Sequence, residues 1–373
     1  MDKKKIMVIF GTRPEAIKMA PVIKELSKHK DKIITKIVVT SQHKEMLIQV
    51  LKIFDIKPDY DLNIMMLKQS LFDININILS RLGKILDEEK PQLVLVHGDT
   101  PTSYASALAS FYCKIPVAHV EAGLRTYDKY DPFPEEVNRQ LIDIISDYFF
   151  VPTELAKNNL LKEGKEEKNI CVTGNTVIDA LLSVAGENYP FACQDLNKIK
   201  FNDKRVILLT CHRRESWGGR MEGIFRGVRR AVDEFEDVEV VFPVHPNPAI
   251  QASVKKVLTG KPKIHLVKPL NYRDMVMTMK KCFFVATDSG GLQEEAPALN
   301  KPVLVLRNTT ERPEGIKTGT LMLAGTDEQG VYRKIKLLLT DKSLYRKMCR
   351  AKNPYGDGKA SQKIVNFICK NIG

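Results

Sequence analysis

The chain has 373 residues, room for two domains of ordinary size, and 43% of them are hydrophobic. Lysine and arginine (58) exceed aspartate and glutamate (45) by 13, which favours anionic partners. The basic residues are spread through mixed-charge stretches without an arginine–aromatic cluster, which argues against nucleic acid, and no run approaches the ~18 apolar residues of a membrane span.

Residues 6–10 form a short apolar run that ends at Gly11. It is too short for a signal-peptide core, so a cytoplasmic protein is expected. A helix is predicted over 14–28, a strand over 33–40, and helices over 43–54 and 71–88. A short apolar run at 92–97 precedes a small-residue helix at 102–111. Then come a strand at 117–121, a helix at 135–146 and strands at 148–151 and 169–173. The second half repeats the scheme, with strands at 206–211, 238–243, 263–267, 283–287 and 302–306, each followed by a helix. Such alternation indicates parallel sheets covered on both faces. Residues 185–202 lack periodicity and read as a linker, or a helix end plus a linker. Residues 359–372 read as an amphipathic helix. The seven cysteines are scattered and contain no Cys-x-x-Cys pair, so neither a disulfide framework nor a zinc site is indicated.

In open parallel sheets ligands bind beyond the carboxyl ends of the strands. After the first strand, Gly11-Thr12-Arg13-Pro14-Glu15 opens a helix, and Arg13 and Lys18 direct cations toward a strand-end site. This is neither Gly-x-Gly-x-x-Gly nor a Walker motif, which argues against a dinucleotide and against ATP hydrolysis. After the run ending at His97, Gly98-Asp99-Thr100 offers either a catalytic or ribose-binding carboxylate or a helix cap. Glu121 stands at the end of a further strand. Glu135 and Arg139 lie four apart on one helix, as a functional pair or a surface ion pair. Together Asp99, Glu121 and Glu135 point to a crowded carboxylate site equipped for proton transfer, with Arg139 holding one ionised. In the second half, Ser289-Gly290-Gly291 leads into a helix whose N-terminus suits a phosphate. Glu295, one turn in, suits ribose hydroxyls, and Arg312 adds a cation near another strand end. His119, inside a strand, reads as a core histidine, and His97 as structural or supporting.

These segments, with Val120-Glu121-Ala122-Gly123-Leu124-Arg125-Thr126, Pro134-Glu135-Glu136, His212-Arg213-Arg214-Glu215, Asp288-Ser289-Gly290-Gly291 and Thr310-Glu311-Arg312-Pro313-Glu314, resemble in order those of bacterial and archaeal non-hydrolysing UDP-N-acetylglucosamine 2-epimerases. The resemblance implies the GT-B architecture, two Rossmann-like parallel-sheet domains facing across a cleft. They are expected at 1–174, joined by the C-terminal helix 359–373, and at 175–358. It implies reversible interconversion of UDP-N-acetylglucosamine and UDP-N-acetylmannosamine by anti elimination of UDP, through 2-acetamidoglucal, for surface polysaccharide precursors. It further implies a homodimer that needs no metal and no cofactor. Carried over, Asp99, Glu121 and Glu135 handle or position protons and Arg139 orients them. His212 and Arg13 stabilise the departing UDP. Lys18, Ser289, Gly290, Gly291, Glu295 and Arg312 contact UDP, and Leu270 and Met275 lie near the uracil, where many relatives place Phe instead of Met275. Gln42 and Lys68 match an activating second substrate site. Competing readings are an epimerase of a UDP-diacetamido-uronate, a hydrolysing 2-epimerase, a GT-B glycosyltransferase and a nucleic-acid-binding protein.

Overall fold

The computed structural model describes residues 3–42, 44–66, 69–187 and 189–371. They form two compact units, one running to Ala180 and resuming at Tyr355, the other spanning Leu181–Pro354.

The first unit alternates strand and helix. Its elements are β1 (Lys4–Phe10), α1 (Arg13–Leu26), β2 (Ile33–Val39), α2 (Lys44–Ile53), β3 (Tyr60–Asp61), α3 (Leu71–Glu89), β4 (Leu93–His97), α4 (Pro101–Tyr112), β5 (Val117–Val120), α5 (Glu135–Ile145), β6 (Tyr148–Val151), α6 (Glu154–Lys162), β7 (Ile170–Val172) and the start of α7 (Thr176–Ala185). The sheet order is β3-β2-β1-β4-β5-β6-β7 and every pairing is parallel. β1 and β4 are buried along most of their length because helices cover both faces, so their sequences read as continuous apolar runs. On α3, Ile74, Ile78, Leu82 and Leu86 recur every fourth residue and pack on Met7, Ile9, Val94 and Val96.

The second unit contains α8 (Gln194–Asn197), β8 (Arg205–Thr210), α9 (Gly219–Glu234), β9 (Val238–Pro243), α10 (Pro248–Val257), β10 (Ile264–Val267), α11 (Tyr272–Lys281), β11 (Phe284–Thr287), α12 (Gly290–Ala298), β12 (Val303–Val305), α13 (Pro313–Thr318), β13 (Leu321–Leu323), α14 (Glu328–Thr340) and α15 (Lys342–Arg350). Its parallel sheet runs β10-β9-β8-β11-β12-β13. Both sheets reverse direction beside their first strand, between β1 and β4 and between β8 and β11. Such reversals leave a crevice at the carboxyl edge.

The closing helix α16 (Ala360–Asn371) returns to the first unit and packs against α1. Asp179 caps it by accepting from the Ala360 and Ser361 amides at 3.1 and 2.8 Å. Residues 185–202 are less free than a linker. α7 ends at Ala185, and beyond it Phe191, Leu196 and Ile199 are buried with Val206, Val241, Val267 and Met277. The edge strands β3 and β13 have no counterpart in the sequence reading. No helix among the described residues is long and apolar enough to cross a membrane.

Candidate functional site

At the β1/β4 reversal the two loops are stapled by one carboxylate. Glu15, almost fully buried on α1, accepts from the Gly11 and Thr12 amides at 3.0 and 2.7 Å through one oxygen. Its other oxygen accepts from the Thr100 and Ser103 hydroxyls at 2.6 and 2.8 Å. Gly11 has to be glycine, since a Cβ there would lie 1.9 Å from the Thr40 hydroxyl oxygen. Arg13 therefore opens α1 directly beyond the strand end.

Asp99 and Glu121 follow β4 and β5 on this edge. Arg139 donates to the Asp99 carboxylate at 2.5 Å, and the Asp99 side chain keeps 27% of its surface exposed. Burial nevertheless pushes its pKa above the ordinary carboxylate value; Arg139 pulls it back and Glu121 adds to the rise. Glu121 is tied differently. Lys18 Nζ donates to both of its oxygens at 2.7 Å, and Asn175 Nδ2 donates at 2.8 Å. Its backbone adopts φ +68°, a left-handed conformation that costs free energy in a residue other than glycine and is concentrated at functional positions. His97 Nε2 lies 3.2 Å from Glu121, and burial drives the His97 pKa down to about 3.

Glu135 is half-buried at the first turn of α5. Its neighbour Glu136 takes the enclosed position. Glu136 is fully buried, accepts from the Thr126 and Tyr127 amides at 3.0 Å each and from Gln140 Nε2 at 2.8 Å, and lies 3.3 Å from Arg139 Nη1. Burial opposes the Glu136 charge, but these donors and Arg139 hold its pKa below the ordinary value. Arg139 thus bridges Asp99 and Glu136, one at each end of its guanidinium. Gln42, beyond β2, accepts from the Thr102 hydroxyl at 2.9 Å, and Thr102 is bonded in turn to Thr40. Lys68 lies outside the described residues.

The second unit carries its own staple at the β8/β11 reversal. Buried Asp288 accepts from the His212 and Arg213 amides at 2.7 and 2.8 Å, and its other oxygen lies 3.3 Å from His212 Nδ1. The His212 ring is 42% exposed and stacks on His245, with centroids 6.1 Å apart. Ser289 is the N-cap of α12 and uses no side-chain bond there. A Cβ on Gly290 would lie 3.6 Å from Arg213 Nη2 and 3.8 Å from Arg312 Nη2, so two guanidinium groups flank a helix N-terminus. Glu295 lies over Gly291, its Oε1 3.3 Å from where a Cβ would stand. Arg312 is anchored on buried Glu294 at 2.5 Å. Burial works against the charge of Glu311, yet Arg213, Arg307 and Arg312 hold its pKa below the ordinary value. Leu270 and Met275 meet in one apolar cluster with Val267 and Met277.

The structure thus gathers Arg13, Lys18, Asp99, Glu121 and Arg139 around one strand edge, and His212, Ser289, Gly290, Gly291, Glu295 and Arg312 around another. Sequence reasoning did not single out Glu15, Glu136, Asn175, Arg213 or Asp288. Four of the five lie in or beside the motifs it had marked.

The family model for UDP-N-acetylglucosamine 2-epimerase matches residues 24–369. The UDP-N-acetylglucosamine 2-epimerase of Bacillus subtilis is 52% identical over 373 residues, covering 100% of this chain and 97% of that protein. Two solved structures superpose with TM-scores of 0.87. One is S. aureus MnaA with UDP, at 50% identity, covering 98% of this chain and 96% of that one. The other is the Neisseria meningitidis UDP-GlcNAc 2-epimerase bound to UDP-GlcNAc, at 46% identity, covering 98% of this chain and 100% of that one. With two parallel α/β sheets of the GT-B kind, carboxylates at one strand edge and arginines around a helix N-terminus at the other, the chain belongs to the UDP-N-acetylglucosamine 2-epimerase family.

Proposed function

We propose that this protein interconverts UDP-N-acetylglucosamine and UDP-N-acetylmannosamine without hydrolysis. The observation that carries the reading is the pair Asp99 and Glu121. Two carboxylates leave neighbouring strands at one edge in unlike environments, one raised in pKa by burial, the other clamped by Lys18. Unlike environments are what equip two carboxyl groups to act as acid and base. The second unit supplies what a diphosphate needs: the N-terminus of α12, with Arg213 and Arg312 beside it.

In the first half-reaction a base removes the C2 proton, the C1–O bond to UDP breaks, and the C2–H electron pair becomes the C1=C2 double bond of 2-acetamidoglucal. UDP leaves with the C1–O electron pair, and His212, Arg13 and the arginines beside α12 stabilise its charge. In the second half a UDP oxygen re-adds to C1 and an acid delivers a proton to the opposite face of C2. Asp99, Glu121 and Glu135 divide the proton handling, and Arg139 orients Asp99. Leu270 and Met275 border the uracil. The product feeds surface polysaccharide precursors.

We also infer a homodimer and a cytoplasmic location. Phe72 and Ile76 on α3, Phe111 and Tyr112 on α4 and Ile144 on α5 are exposed, and these helices pack side by side. Sedimentation equilibrium tests the pairing, and a strict monomer rejects it. Gln42 and Lys68 are proposed for an activating substrate site, which strictly hyperbolic kinetics would reject.

Proton NMR of UDP-N-acetylglucosamine with the protein in D2O decides the chemistry. UDP-N-acetylmannosamine with deuterium at C2 and no free sugar is expected. Free N-acetylmannosamine plus UDP would place the chain among hydrolysing enzymes. An unchanged substrate would overturn the substrate assignment and direct the assay to UDP-diacetamido-uronates.

A further inference from the structure

Beneath the carboxylate edge lies a buried histidine that the proposed mechanism does not use. His119, in the middle of β5, has no exposed surface, and both of its ring nitrogens face oxygens that accept. Nδ1 donates to Asp143 Oδ1 at 2.6 Å and Nε2 donates to the Gly98 carbonyl at 2.7 Å. Asp143, buried on α5, also takes Arg125 Nη2 at 2.7 Å and the Gly123 amide at 3.2 Å. Arg125 continues to Glu163 at 2.6 and 2.7 Å. A histidine wanted only to fill space would be replaced more cheaply by an apolar residue, because enclosing polar and charged groups costs desolvation.

What this network holds is the segment carrying Asp99. The Gly98 carbonyl belongs to the peptide that leads into Asp99, and a planar peptide pinned at its oxygen is pinned at its nitrogen as well. The next peptide is pinned by Asn138, whose Nδ2 donates to the Asp99 carbonyl at 2.9 Å. Arg139 then fixes the carboxylate itself. The backbone on either side of Asp99 is therefore set by side chains of β5 and α5, and the bond from His119 reaches into the protein interior.

We propose that His119 is a positioning residue for proton transfer: its Nε2–H bond to the Gly98 carbonyl sets the Gly98–Asp99 peptide and so aims the Asp99 carboxylate, while Asp143 and Arg125 hold the ring. This rests on the epimerase reading. Two isosteres separate the bonds. The amide nitrogen of Gln reaches the place of Nε2 and keeps the Gly98 bond; that of Asn reaches the place of Nδ1 and keeps only the Asp143 bond.

The experiment measures kcat and KM for UDP-N-acetylglucosamine, UDP affinity by calorimetry and Tm, for wild type, His119→Asn and His119→Gln. The expected result is a kcat lower by roughly 10- to 100-fold in the Asn variant and restored to within about threefold of wild type in the Gln variant, with KM and UDP affinity unchanged in both. Equal kcat losses in both variants, losses that follow Tm, or a loss confined to KM would overturn the proposal. If the Asn variant does not fold, the Gln variant decides: folded protein with kcat near wild type supports the role of the Gly98 bond, and folded protein with low kcat rejects it. Wild-type protein that leaves the substrate unchanged tells against the functional reading, whereas an active wild type with indistinguishable variants tells against this assignment alone.

Discussion

At the reversal of the first sheet, β1 and β4 are joined through Glu15, which accepts from loops on both strands. At the reversal of the second, β8 and β11 are joined through Asp288, which follows β11 and accepts from the loop after β8. Each unit thus spends a buried carboxylate on holding two strand-end loops together. What the loops then present is opposite. The first unit shows carboxylates backed by cations, Asp99 on Arg139 and Glu121 on Lys18. The second shows arginines backed by carboxylates, Arg312 on Glu294 and Arg213 beside Glu311. One strand order supplies the place, and the residues after the strands decide whether that place presents carboxylates or arginines.

The sharpest way to break this division is to neutralise the first unit alone. Asp99→Asn and Glu121→Gln are expected to lower turnover by roughly 10³-fold or more while leaving UDP affinity as in wild type. Turnover assays paired with UDP calorimetry check it. Near-wild-type activity in both variants would remove the carboxylates from the chemistry.

The converse change is Arg312→Met, which is expected to weaken UDP binding by roughly 10- to 100-fold, the equivalent of about 1.5–3 kcal/mol for a charged hydrogen bond. UDP affinity as in wild type, with turnover lost at saturating substrate, would move Arg312 from binding to catalysis.

The staples are the part the two units share, and their removal should cost stability in both. Glu15→Gln and Asp288→Asn each place an amide N–H₂ among donors. Each is expected to lose about 2 kcal/mol of unfolding free energy, read from urea titration. A loss in one variant and none in the other would end the parallel.

The strands and their order along the chain were legible because buried parallel strands are apolar throughout, and the ends of those runs pointed to Asp99, Glu121 and the Ser289-Gly290-Gly291 turn. β3 and β13 were not legible, since strands of two or three residues at a sheet edge carry no run. The helix end at Ala185 matches the reading of 185–202 as a helix end plus a linker, but the packing of the stretch beyond it was not legible because it contributes single buried residues, Phe191, Leu196 and Ile199, at no regular spacing. The supporting acids were harder still. Glu15 finds its hydroxyl partners 85 and 88 residues away, and nothing local distinguishes it from a helix-capping glutamate. Asp143 left a faint signal as the one charge within Leu141-Ile142-Asp143-Ile144-Ile145, an apolar stretch where a carboxylate is costly unless something distant pairs with it.

The smallest predicted effect concerns the histidines of the two reversals. His212 beyond β8 is 42% exposed, whereas His97 at the end of β4 is enclosed. Burial lowers the His97 pKa to about 3; Glu121 opposes the shift, and Lys18 and His119 add to it. In the unfolded chain the ring titrates near ~6.5. Between those values the unfolded state binds a proton that the folded state excludes, so stability is full at higher pH and is lost as pH falls through the unfolded value. At pH ~5.5 the folded ring is still neutral, so the loss is set by the unfolded pKa alone and amounts to about 1.4 kcal/mol relative to pH ~8. Wild type should therefore lose about 1.4 kcal/mol more than His97→Gln over that interval, measured by urea unfolding at both pH values. Equal losses would mean that the folded protein takes up the proton, leaving an imidazolium 3.2 Å from Glu121 and making that carboxylate a paired anion on two sides.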